Sequence, residues 1–109
     1  MNDRELLELA AKAAGIEVWP GTGFQAHIQF TRPAKVDPGG KVTGVEWNPL
    51  DEDGDNRRLQ VRLRLGLVPL EGGGWDCYSY TDSGEKMLAT DQDPNRAVVL
   101  AAAAIGKEM

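Results

Sequence analysis

Apolar residues recur at three- and four-residue steps from Asp3 to Ala14, where Leu6, Leu9, Ala10, Ala13 and Ala14 alternate with polar Glu5, Glu8 and Lys12. That spacing predicts an amphipathic helix. Asn2 or Asp3 would cap its start, and Glu8 with Lys12 forms an i,i+4 pair. Gly15, followed by apolar Ile16, supplies a left-handed stop. The far end of the sequence carries the same grammar, with Asp93 as N-cap, Pro94 at the first helical position, a helical run over 95–105 and Gly106 as terminator. Two helices therefore bracket whatever lies between.

Between them the period changes to two. Phe24, Ala26, Ile28 and Phe30 alternate with Gln25, His27 and Gln29, which predicts a strand with one wet and one dry face. A Pro- and Gly-rich turn region follows over 33–40, and then a second strand over 41–47. A third strand is expected over 65–70, and the Gly72, Gly73, Gly74 run turns it into a partner over 75–81. Residues 87–90 add a short edge.

Residues 55–65 satisfy two templates. Leu59, Val61, Leu63 and Leu65 alternate with Gln60, Arg62 and Arg64, as in a strand. Asp51 or Asp53 could equally cap a helix whose inward residues are Leu59 and Leu63, with acidic residues on its positive end. Periodicity leaves both open.

Length and charge narrow the classes of function. A chain of 109 residues has material for one core and one domain. Its net charge of −5 argues against a dedicated duplex-DNA binder, which needs an excess of Lys and Arg on some face. One cysteine, Cys77, excludes an internal disulfide and any multi-cysteine metal site. Residues 1–5 carry no apolar leader core, and no run approaches the length of a membrane span, so a reducing cytoplasm without membrane attachment is expected.

Several constellations invite a chemical reading. Asp51, Glu52, Asp53 and Asp55 resemble the start of a calcium loop, but the glycine is fourth rather than sixth and position twelve is Arg62, so no metal is expected there. They are read instead as a helix cap and as a candidate partner surface. Arg57, Arg58, Arg62 and Arg64 form a basic cluster in an acidic chain. On a strand, Arg58, Arg62 and Arg64 share a face, and with Tyr78 and Tyr80 they could follow a single-stranded nucleic acid. His27 and Cys77 are the one potential imidazole–thiol pair, yet nothing in their spacing requires them to meet. Gly21, Thr22 and Gly23 lack the lysine and helix of a phosphate loop. Trp19, Trp47 and Trp75 sit at expected strand boundaries and are read as core closure, while Ala101 to Ala104 permit close helix approach to the sheet or to a second copy. No catalytic set, cofactor or metal site is legible.

Three motifs together resemble the phage ABA-sandwich domain family of small bacteriophage and prophage proteins. They are Asp3-Arg4-Glu5-Leu6-Leu7-Glu8-Leu9-Ala10 through Gly15-Ile16, Trp47-Asn48-Pro49-Leu50 with Asp53-Gly54-Asp55, and Asp93-Pro94-Asn95-Arg96-Ala97 through Ile105-Gly106. The resemblance implies a small single-domain α/β/α sandwich: a mainly antiparallel sheet of three to five strands, N- and C-terminal helices, and a short middle helix opened by the Asp-Gly-Asp element. It implies a setting in a bacterial cytoplasm and carries no activity or cofactor. The resulting expectation is a non-enzymatic accessory protein, monomeric or weakly dimeric, that binds a host or phage protein. Single-stranded nucleic-acid binding is the alternative.

Overall fold

A computed structural model describes residues 2–21, 29–36, 38–40 and 42–109, the side chains of 34–36 and 42–43 excepted. Among these residues three helices, α1 (Asp3–Ala14), α2 (Asp53–Leu63) and α3 (Pro94–Lys107), flank two antiparallel sheets. The first sheet is the hairpin β1 (Thr31–Val36) with β2 (Val42–Glu46). The second is the meander β3 (Leu65–Pro69), β4 (Trp75–Thr81) and β5 (Gly84–Asp91). This is a mixed α/β domain.

α1 begins and ends as its spacing predicts. The Asn2 side chain accepts the Glu5 N–H at 2.8 Å, Gly15 takes φ 67°, and the Ile16 N–H closes on the Ala11 carbonyl at 2.9 Å. Glu8, however, pairs backwards with Arg4 at 3.2 Å, while Lys12 reaches the Met109 backbone oxygen. α3 starts on Asp93, whose carboxylate accepts the Asn95 N–H. It runs through Gly106 to Lys107, so that glycine is no terminator. Its role is steric: α1 and α3 lie side by side in the same direction, with Arg96 on Asp3 at 3.0 Å near one end and Leu9 against Gly106 near the other. The buried alanines Ala10, Ala11, Ala14, Ala97 and Ala101 belong to the same core and keep its helices slim.

α3 covers the inner face of the meander, where Cys77 and Leu65 are buried and Trp75, Leu67 and Ala89 are half-buried. Asp76, Tyr78 and Tyr80 point the other way, since side chains alternate along β4. The glycine turn forms as expected, with Leu70 and Gly74 bonded and all three glycines at positive φ. β5 is longer than the expected 87–90, because Asp82 and Ser83 close a tight turn that pairs Thr81 with Gly84.

The first hairpin departs most from expectation. Of the strand predicted over 24–30, residues 24–28 lie outside the described residues, and Phe30 precedes the strand rather than ending it. Pro33, expected in a turn, lies within β1 beside an irregularity between Pro33 and Lys35, where a missing N–H is tolerated. Trp19 pairs with Thr31 through two backbone bonds of 3.0 and 2.8 Å, and the Trp47 N–H reaches the Phe30 carbonyl. Trp47 is buried as core closure predicts, while Trp19 and Trp75 are half-buried.

Residues 55–65 resolve as a helix followed by the first residue of β3. Neither Asp51 nor Asp53 caps it. Glu52 is the N-cap and makes no side-chain bond, because Asn48 ties Asp51 into the preceding turn and Asn95 engages Asp53.

Candidate functional site

The outward face of α2 is set by what its inward face must satisfy. Asn56, 1% exposed, donates to the carbonyls of Pro49 at 2.8 Å and Asn95 at 3.0 Å, and its own oxygen accepts from Gln60 at 2.9 Å. Asp55 is also buried; its carboxylate accepts the Asn48 N–H at 3.0 Å and the Arg58 guanidinium at 3.1 Å. With Leu59 fully buried between them, these bonds fix the rotation of a helix that has little apolar surface of its own. Arg57, Arg58, Val61 and Arg62 are left exposed.

This arrangement accounts for the acidic segment. Asp51 accepts from Asn48, Asp53 from Asn95, and Asp55 from Asn48 and Arg58, so only Glu52 has no side-chain bond. Asp51 and Asp55 share Asn48 while Asp53 turns to Asn95, and among the described residues no three acidic, histidine or cysteine side chains gather into a metal-binding group. The same bonds join the motifs: Asn95 links the start of α3 to Leu50 and Asp53, and Arg96 links it to Asp3.

A groove of about 650 Å³ opens beside α2, against the C-terminal end of α1 and the first hairpin. Ile16, Pro33, Trp47 and Val61 contribute apolar lining, Arg32, Arg57, Arg58 and Arg62 line it with positive charge, and Glu17 and Asp55 with negative, so the arginines outnumber the carboxylates four to two. Two of these guanidinium groups are already occupied. Arg58 pairs with Asp55, and Arg62 donates to the Ala14 carbonyl, where it neutralises the negative end of α1. Arg32 and Arg57 carry no side-chain hydrogen bond or ion pair among the described residues.

A smaller cleft of about 420 Å³ lies on the other side of Arg57 and Val61, lined also by Gln60, Arg64, Leu65 and Tyr80. Arg64 closes α2 in the left-handed conformation, φ 56°, and its carbonyl accepts the Tyr80 N–H at 3.1 Å. Its guanidinium likewise has no hydrogen bond or ion pair among the described residues. The Tyr80 ring lies over Gly66, where a Cβ would stand 2.6 Å from Cε2. Tyr78 is 6.5 Å from Tyr80, centroid to centroid, but its immediate neighbours are acidic. Burial first, then Asp76 and Glu85, push its phenol above the ordinary value.

The structure thus divides the predicted arginine set. Arg58 and Arg62 belong to the larger groove and Arg64 to the smaller, with Tyr80 beside Arg64 and Tyr78 out on the sheet. Sequence reasoning did not group Arg32 with them, because it lies 25 positions before Arg57 and only the hairpin brings it close. Arg57 drops out of phase when the segment is read as a strand, and returns when the period is that of a helix.

Cys77 is fully buried, and burial pushes its thiol up to about 11, so at neutral pH it lacks the thiolate that a nucleophile requires. His27 lies outside the described residues. Among the described residues, no helix is long and apolar enough to cross a membrane. No protein-family model matches the chain, and comparison with curated proteins and with solved structures finds no match.

Proposed function

We propose that this chain is a non-enzymatic accessory protein, of the phage or prophage kind its motifs resemble, that binds another protein through the groove beside α2. The observation that carries this reading is the distribution of unpaired arginines. Arg4, Arg58, Arg62 and Arg96 each have an internal acceptor, whereas among the described residues Arg32, Arg57 and Arg64 have none, and all three line the clefts flanking α2. An apolar floor with unpaired guanidinium groups at its rim matches an acidic segment that carries an apolar side chain. The acidic turn at 51–55 is less suited to this role, since three of its four carboxylates already hold the fold together.

The test is a fluorescence-anisotropy titration with a labelled peptide rich in Glu and carrying one Leu anchor, beside its Gln-substituted counterpart. Wild-type protein binds the Glu peptide with salt-sensitive affinity, and Arg32→Glu with Arg57→Glu weakens it by about 100-fold or more. Equal binding by the double variant, or no preference for Glu over Gln, would sink the reading. Single-stranded nucleic acid is the second reading, favoured by Arg64 beside Tyr80 and opposed by Asp76 and Glu85 beside Tyr78. An oligonucleotide that binds more tightly than the peptide would select it.

A further inference from the structure

The smaller cleft beside α2 carries a charge pattern that the groove reading leaves unused. Arg57, Gln60, Val61 and Arg64 follow one another at three- and four-residue steps, so they lie along one stripe of the helix and its C-cap. Leu65 and Tyr80 close the other side. Among the described residues no carboxylate lines this cleft, whereas Glu17 and Asp55 line the groove. In a chain of net charge −5 that is a local reversal of sign.

The Tyr80 ring leans toward the cleft. It reaches from β4 onto Gly66 of β3, where a Cβ would stand 2.6 Å from Cε2 and 3.3 Å from the hydroxyl oxygen. The hydroxyl therefore lies over β3, the strand that Arg64 leads into, and away from Glu85, which pairs with Tyr80 from β5 on the opposite side. Arg64 is the one non-glycine residue at positive φ among the described residues. Glycine would occupy that position without strain but would bring no guanidinium, and strain of this kind collects at functional positions.

We infer that this cleft binds a phosphate monoester, with Arg57 and Arg64 on its terminal oxygens and the Tyr80 hydroxyl as a further donor. The two arginines stand two helical turns apart, about 10 Å at Cα, and flank a group placed between them. A carboxylate has two oxygens and one charge, which a single guanidinium satisfies. A monoester has three terminal oxygens and about two negative charges, which call for two guanidinium forks and a hydroxyl. The macrodipole puts only about half a negative charge at the C-terminal end of α2, and two whole guanidinium charges outweigh it. A volume of about 420 Å³ admits the phosphate with a small organic group attached.

Arg57 lines both clefts, so Arg64 and Arg32 are the positions that separate this proposal from the groove reading. In an NMR titration of the full chain at low ionic strength, methyl phosphate shifts the Arg57 and Arg64 Nε–Hε signals saturably, with a Kd on the order of 1 mM. Dimethyl phosphate, with one charge and two terminal oxygens, binds about tenfold more weakly. Arg64→Gln and, separately, Arg57→Gln weaken methyl phosphate by about tenfold with an unchanged circular dichroism spectrum. Arg64→Gln leaves the Glu-rich peptide bound, whereas Arg32→Gln weakens the peptide and leaves methyl phosphate bound. No saturable shift at Arg64, or methyl phosphate affinity that both Gln variants leave unchanged, overturns the proposal. Dimethyl phosphate binding as tightly as methyl phosphate also overturns it, in favour of the nucleic-acid reading.

Discussion

Gly106 of α3 sits against the backbone of Leu9 in α1 so closely that a Cβ built on it would overlap the Leu9 carbonyl oxygen and lie 2.8 Å from the carbonyl carbon. Both groups are main chain, so neither can rotate away. Gly106→Ala gains about 1 kcal/mol of helix propensity but forces the two helices apart, at a cost of about 3 kcal/mol. The clash wins. Urea denaturation should show an unfolding free energy lowered by about 2 kcal/mol, while Gly40→Ala, with nothing near its Cβ, costs about 1 kcal/mol through its positive φ alone.

Asn56 holds α2 in rotation by giving both amide hydrogens to carbonyl oxygens, those of Pro49 and Asn95. Asn56→Ala leaves these acceptors unpaired and costs about 2 kcal/mol. Asn56→Asp, nearly the same shape, places a carboxylate against them and costs about 3 kcal/mol or more. Lowering the pH protonates the new Asp and returns one donor, so the gap between the variants narrows in acid. Paired urea melts at neutral and acidic pH check the order and the trend.

The Cys77 thiol is raised from an ordinary 9.0 to about 11 by burial. The folded chain keeps its proton where the unfolded chain has lost it. Stability from this group is therefore complete below pH 9 and is lost as pH rises toward 11, by about 3 kcal/mol in all. Cys77→Ala flattens the pH dependence of the melting temperature over that window. The native thiol should also resist a thiol-specific reagent at neutral pH and react once the chain is unfolded.

Arg64 occupies a backbone conformation that favours glycine, φ 56°. Arg64→Gly relieves about 1 kcal/mol of strain and returns about half of it as extra freedom of the unfolded chain, a net gain of roughly 0.5 kcal/mol. The same change removes the guanidinium from the smaller cleft. Differential scanning calorimetry of wild type and variant checks the gain.

Much of this was legible in the residues themselves. The bounds of α1, the start of α3 and the strand over 75–81 follow from local signals that tertiary packing does not oppose: Asn2 and Gly15, Asp93 with Pro94, and the glycine turn before Trp75. Where local grammar and packing disagree, packing decides. Gly106 reads as a stop until Leu9 is beside it, and Pro33 reads as a turn until it lies beside an irregular register in β1. Residues 55–65 fit both periods, and the choice rests on Asn56 and Asp55, polar residues whose burial no hydrophobic pattern reports. The groove needs both that choice and the hairpin that delivers Arg32, so it lay beyond any reading of nearest neighbours.

The central claim is that the unpaired guanidinium groups of Arg32 and Arg57 receive an acidic peptide. Two-dimensional NMR of the arginine Nε–Hε signals, followed as the Glu-rich peptide is added, tests it most directly. The Arg32 and Arg57 signals should shift together and saturably, with Arg4 and Arg96, which are held in internal ion pairs, unmoved. Shifts confined to Arg64 and the sheet residues around Tyr78, or no shift at Arg32 and Arg57 at saturating peptide, would contradict it.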